Sequence, residues 1–293
     1  MHHRLGFSLI FFLVGCSAPV TEEQPKYIFH QYDNTPSSLL SSGEQHKEDV
    51  NHETSEEPRA VIGDDDRQTI DVGLYQSYPY RAICSLKVTW DDNGDGIMAG
   101  TTWGTGFFVG PRVVLTCCHV VYNGTTWGNV SVRPGHRNIS GLDASENNPY
   151  GSLPVSYTII GNYNSTHNVN DDWAILRLAS TNSLGFQIGY FPMSDRIYQS
   201  DSVMVAGYSG DYPGQITYGR GVISTLQTYQ FSHTCDMIGG ASGAPVLINE
   251  GIAVGINAAE DVSGSMNYAC RITSYIISWV KEVNDENVFP PLS

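Results

Sequence analysis

Between Ala82 and Asn257 the sequence is a succession of short apolar and β-branched runs, each broken off by Gly, Asn, Asp or Pro within a dozen residues. The runs are Ala82–Trp90, Gly104–Val109, Arg112–Val121, Val155–Ile160, Trp173–Leu178, Val203–Tyr208, Gly219–Leu226, Gly243–Ile248 and Ile252–Asn257. Segments this short with turn residues between them predict an all-β barrel or sandwich. Asn249-Glu250-Gly251 between the last two runs reads as a compact hairpin turn. One helix is expected near the end, where Ile272, Tyr275, Ile276, Trp279, Val280 and Val283 recur at helical spacing and make a single apolar face. A charged fraction of 15% and 30 glycines suit an extracellular β-rich protein.

Chemistry concentrates at three places on this frame. Gly239-Gly240-Ala241-Ser242-Gly243-Ala244-Pro245 reads as a serine held on a glycine-rich turn. A serine hydroxyl needs a base to become a nucleophile. Such a turn can also aim the backbone N–H groups of Gly240 and Ser242 at one point, as an oxyanion hole requires. The base is His119, a single histidine inside Val113-Val114-Leu115-Thr116-Cys117-Cys118-His119-Val120-Val121. The third member is Asp172, directly before the run Trp173-Ala174-Ile175-Leu176, with Asp171 as the alternative. A buried carboxylate fixes the imidazole tautomer so that the imidazole can take the serine proton. The chain order His, Asp, Ser differs from that of subtilisin and of the α/β-hydrolases.

With Gly104-Thr105-Gly106-Phe107-Phe108-Val109, Val205-Ala206-Gly207-Tyr208, Val254-Gly255-Ile256-Asn257 and Val61-Ile62-Gly63-Asp64-Asp65-Asp66-Arg67 added, the ordered motifs resemble a trypsin/chymotrypsin-fold serine protease of the bacterial glutamyl endopeptidase (V8-like) group. The resemblance implies two six-stranded antiparallel β-barrels with a C-terminal α-helix, over residues 61–185 and 186–293, and an active site in the cleft between them. It also implies protein or peptide substrates and a propeptide ending near Arg59-Ala60 that an activating protease removes, leaving Val61 as the N-terminus. No segment suggests an organic cofactor. Glutamate selectivity in that group is attributed to a histidine and a threonine; here the matching positions are Asn257 and Met237. Asp236, six residues before Ser242, matches the residue that gives trypsin its preference for Lys and Arg, so basic and acidic specificities both stand. Ala241 precludes an N-terminal ion pair directly before the nucleophile. A catalytically silent binding module and a serine esterase are the competing readings.

The N-terminus bears on location. Residues 5–14 are a short apolar run after Arg4, too short to span a bilayer comfortably, and residues 1–15 read as a signal peptide. Leu13-Val14-Gly15-Cys16 resembles a lipobox, which makes Cys16 a lipidation site and a lipid anchor the membrane attachment. Residues 16–60 are polar and expected to be loosely ordered. Export to an oxidising compartment predicts disulfides. Cys235 with Cys270 is one candidate, and Cys84 with Cys118 or Cys117 another. A metal site at Cys117, Cys118 and His119 lacks a second ligand cluster of suitable spacing, and no metal is expected. Asp91-Asp92-Asn93-Gly94-Asp95-Gly96 resembles half of a calcium loop but reads as a hairpin turn. A net charge of −15 argues against nucleic acid as a partner.

Overall fold

A computed structural model describes residues 27–32, 59–91, 100–140, 144–163, 168–179, 184–249, 251–260 and 264–284. The half calcium loop beyond Asp91 and the lipobox with Cys16 lie outside them. Sixteen strands follow in order: β1 Tyr27–Gln31, β2 Arg59–Ala60, β3 Gln68–Thr69, β4 Ile83–Trp90, β5 Gly100–Gly110, β6 Val113–Thr116, β7 Asn129–Pro134, β8 Leu153–Gly161, β9 Ala174–Leu178, β10 Ser202–Tyr208, β11 Ile216–Leu226, β12 Gln230–His233, β13 Met237–Ile238, β14 Pro245–Ile248, β15 Ile252–Glu260 and β16 Asn267–Arg271.

Two closed antiparallel barrels of six strands result. The first runs β8-β7-β4-β5-β6-β9 and closes by pairing β9 with β8. The second runs β10-β14-β15-β16-β12-β11 and closes by pairing β11 with β10. Closure leaves few edges to protect. Strand interiors are apolar because a small barrel is filled by its own side chains. Leu86, Phe107, Leu115, Ile159 and Ile175 fill the first, and Val205, Phe231, Val246 and Val254 belong to the core of the second. The terminal helix Ser274–Asn284 buries Ile276, Val280 and Val283 against β5 and β6 of the first barrel, although it follows the second in sequence. Asn249 takes φ 50° in the β14–β15 turn, where the Gly251 N–H donates to Ile248 O at 3.2 Å.

Three elements depart from the sequence reading. Residues 16–60, expected to be loosely ordered throughout, contribute β1, which adds to β8 in register Tyr27 with Gly161 through Gln31 with Tyr157. His30 stacks on Trp127 with ring centroids 4.4 Å apart. The five residues Tyr-Ile-Phe-His-Gln carry enough apolar surface to dock on a strand whose backbone is already set. Second, the run Arg112–Val121 is not one strand: after Thr116 it turns into a short helix, Cys118–Val121. Third, residues 59–70 precede the first barrel but attach to the second, with β2 on β13 and β3 on β11.

The expected disulfides do not form. Cys84, Cys117, Cys118, Cys235 and Cys270 are buried and stand outside any disulfide. The thiols of Cys84, Cys235 and Cys270 donate instead to the carbonyls of Ala82, Val203 and Asn170. Register explains the last pair: Cys270 faces Gln230 and Ile256 across its sheet, away from Cys235. Burial pushes the thiol of Cys235 up to about 12 and those of Cys84 and Cys270 well above the ordinary value. They pack as small apolar residues.

Candidate active site

His119 lies in the short helix that β6 feeds, and Asp172 directly follows a 3-10 turn, Val169–Asp171, at the entrance to β9. Because β6 pairs with β9 in register Thr116 with Ala174, the two side chains meet just beyond the ends of paired strands. Asp172 Oδ2 lies 2.7 Å from His119 Nδ1, and Asp172 Oδ1 accepts the His119 backbone N–H at 3.1 Å. Both carboxylate oxygens therefore hold one residue. Asp172 rather than Asp171 reaches the histidine. Its side chain is 1% exposed against 33% for His119, so the imidazole is anchored at Nδ1 and partly exposed to the cleft. Burial lowers the His119 pKa, but the Asp172 charge and hydrogen bond outweigh it, and the net shift is upward.

Ser242 arrives from the second barrel on the turn between β13 and β14. The turn depends on two left-handed glycines, Gly240 at φ 92° and Gly243 at φ 86°. A Cβ on Gly243 would stand 2.1 Å from Thr105 O and 2.2 Å from Thr116 Oγ1, so the serine turn and the first barrel touch at backbone distance. Ala241, Gly243 and Ala244 donate their N–H groups to Ile238 O, Asn257 O and Ala241 O. Among the described residues the N–H groups of Gly240 and Ser242 donate no backbone hydrogen bond, which leaves them for a ligand. The Ser242 hydroxyl likewise has no hydrogen-bond partner among the described residues. Ser242, Gly240 and His119 line one cleft of about 450 Å³. Nucleophile–base contacts are often loose before substrate binds.

Thr105 joins the two halves and was not singled out by sequence. Its N–H donates to Ser242 O at 2.9 Å, and its hydroxyl donates to Gly240 O at 2.9 Å while accepting the Tyr208 N–H at 2.9 Å. Thr116 Oγ1 in turn donates to Thr105 O at 2.7 Å. One buried threonine of β5 thus fixes two peptide planes of the serine turn.

The specificity candidates lie near the turn, each already engaged. Asp236 is 3% exposed. Its Oδ1 accepts the Ile62 N–H at 2.8 Å and its Oδ2 the Asp66 N–H at 3.1 Å. Arg67 secures the same segment through ion pairs to Asp65 at 2.8 Å and Asp211 at 2.6 Å. Both oxygens of this carboxylate are thus engaged by the backbone of residues 62–66. Met237 pairs with Ala60 in the β13–β2 ladder and is buried. Asn257 Nδ2 donates to Ala241 O at 3.2 Å, which turns its Oδ1 toward His233 Nε2, also at 3.2 Å. His233 must then carry its proton on Nε2. Burial pulls its pKa down to about 4, so it is neutral. It is the support of Asn257, a role for which a lone histidine in mixed sequence gives no signal.

The ligand atoms of Cys117, His119 and Asp172 lie within 4.8 Å of one another, close enough to hold a metal ion. Their chemistry opposes it. Burial pushes the Cys117 thiol well above its ordinary value, the Asp172 charge adds to this, and the thiol donates to Asn257 O at 3.1 Å. Metal ligation needs the thiolate.

Two closed six-stranded barrels, with a buried carboxylate–histidine pair from one and a serine turn from the other, define a double-barrel serine-hydrolase architecture. The chain belongs to the trypsin-like peptidase domain family, whose sequence profile matches residues 104–256. It is 30% identical over 198 residues to the glutamyl endopeptidase of Bacillus licheniformis, an alignment that covers 64% of this chain and 55% of that protein. The chain therefore spans only about half the length of that relative. It is 27% identical to the extracellular metalloprotease of Bacillus subtilis, over 76% of this chain and 69% of that protein. A solved structure of Glu endopeptidase in complex with MPD superposes with a TM-score of 0.62 at 21% identity, covering 76% of this chain and 99% of that one.

Proposed function

We propose that the chain is an exported serine endopeptidase working through an acyl-enzyme. Ser242 attacks the scissile carbonyl as His119 takes its proton. The imidazolium then gives that proton to the leaving amine, and water repeats the cycle on the ester. Asp172 keeps the Nδ1 proton in place and stabilises the imidazolium. The free N–H groups of Gly240 and Ser242 meet the developing oxyanion, an interaction whose loss typically costs about a hundred- to a thousandfold in rate. The observation that carries this reading is the histidine held through both oxygens of a buried aspartate, in one cleft with Ser242.

Cleavage after Lys or Arg is disfavoured by the engagement of Asp236. Acidic selectivity draws support from the Bacillus licheniformis relative's name, but not from a histidine at position 257. A positive charge for a substrate carboxylate is available at the α-ammonium of Val61 once an activating protease removes residues 1–60. A relative named as extracellular and the apolar run at residues 5–14 support export; Cys16 would supply the lipid anchor.

The test is labelling with a fluorophosphonate probe beside peptide hydrolysis. Wild type should label at Ser242 and cleave. Ser242→Ala should do neither, with a rate loss on the order of a millionfold. An unlabelled wild type would point to the silent binding module, and labelling with ester but no peptide hydrolysis to the esterase.

A further inference from the structure

The cleft beside Ser242 has a wall that the triad does not use. Trp90, Trp103 and Val120, with Thr102 and Asn123, line it together with His119, Gly240 and Ser242. Trp103 is 52% exposed, a large apolar surface to leave in water. It is nonetheless held. Lys87, its cross-strand partner on β4, places Nζ 5.9 Å from the ring centroid, and the Arg133 guanidinium lies 4.4 Å from it. Arg133 is itself fixed by a 2.8 Å hydrogen bond to Ser85 Oγ. Trp90 is 8% exposed and donates Nε1–H to Thr102 Oγ1 at 2.8 Å. Two indoles with fixed positions therefore line a cleft that reaches the nucleophile.

Which part of a substrate this wall meets follows from its construction. Its strands, β4 and β5, and the helix carrying His119 all belong to the first barrel. None of Asp236, Met237 and Asn257 lines the cleft. His119 hands its proton to the leaving amine, so the departing segment lies on the histidine side. We propose that Trp90 and Trp103 form the subsite for the residues that follow the scissile bond, and that it selects an aromatic or large apolar side chain there. Lys87 and Arg133 beside the Trp103 ring make the same wall repel Lys and Arg, a local reversal in a chain of net charge −15.

This inference rests on the acyl-enzyme reading, and its test separates the two. Peptidyl esters with varied acyl residues acylate Ser242 without placing any amino acid in the leaving subsite. An added amino-acid amide then competes with water. Its amine nitrogen bonds to the acyl carbon, the Ser242 Oγ–carbon bond breaks, and His119 moves the amine proton to Oγ. The ratio of amide product to acid product reads the leaving-side subsite and normalises itself to the acyl-enzyme formed. Phenylalaninamide should capture the acyl group at least about fivefold better than glycinamide, the factor an aromatic contact of ordinary strength supplies, and argininamide should capture it worst. Trp103→Ala should remove that advantage, and Trp103→Phe should retain most of it. Equal partition among the amides, or an unchanged preference in Trp103→Ala, would overturn the inference alone. No hydrolysis of any ester would overturn the acyl-enzyme reading and this inference with it.

Discussion

Replacing Asp236 with asparagine should loosen the fold rather than change which bonds are cleaved. The carboxylate accepts two backbone N–H groups, from Ile62 at 2.8 Å and Asp66 at 3.1 Å, at a site 3% exposed. Hydrogen bonds to a buried charge are worth about 1.5–3 kcal/mol each. Asparagine keeps one acceptor and turns an N–H donor toward the other backbone N–H, so one bond is lost and its donor is left unpaired in the interior. The expected loss is about 2–3 kcal/mol. For a domain of this size that lowers the melting temperature by roughly 5–10 °C. Thermal unfolding followed by circular dichroism gives the first number, and the distribution of residues before the cut bonds gives the second. A variant that melts within about 1 °C of wild type while specifically losing cleavage after Lys and Arg would refute the reasoning and put Asp236 in the substrate pocket.

Three further outcomes follow from the same geometry. Because Asp172 raises the His119 pKa above its ordinary value of 6.5 and activity needs the neutral imidazole, the acid limb of kcat/KM should lie above pH 6.5; Asp172→Asn should shift it downward and cost on the order of ten-thousandfold in kcat. Thr105→Val keeps the shape but strands Gly240 O and the Tyr208 N–H. Steady-state kinetics should show kcat down by about a hundredfold from the misplaced serine turn, with the barrels still folded. His233 has a folded pKa of about 4 against 6.5 when unfolded, so the unfolded state takes up the extra proton between those values. Its contribution is fully present above pH 6.5 and is lost as pH falls toward 4, by about 3 kcal/mol; denaturant titrations of wild type and His233→Gln across that window should diverge by that amount.

The parts legible in the sequence were those whose chemistry is local. The alternation of apolar runs and turn residues announces barrels because each strand needs only its own few residues, and the glycines flanking Ser242 mark a turn wherever they occur. Asp172 could be preferred to Asp171 because it abuts the strand. What escaped was decided at long range. Thr105 looks like any strand threonine until 135 residues of chain bring Gly240 O to its hydroxyl. Asp236 sits at a position suited to a substrate pocket, and only the arrival of residues 62–66 gives its carboxylate another use. An oxidising compartment predicts cysteine pairs, whereas the thiols of Cys84, Cys117, Cys235 and Cys270 each meet a different carbonyl. The Cys118–Val121 helix hid inside an apolar run because strand and helix share that composition when so short. The polar tail concealed β1 because five docking residues barely alter the average over residues 16–60.

The measurement closest to the central claim is cut-site mapping by mass spectrometry on a diverse peptide mixture, with wild type and Ser242→Ala digested side by side. Internal cuts should appear with wild type, avoid the bonds after Lys and Arg, and vanish in Ser242→Ala. Cuts of equal number and position in both proteins would mean that the buried Asp172–His119 pair does not serve Ser242, and would contradict the account.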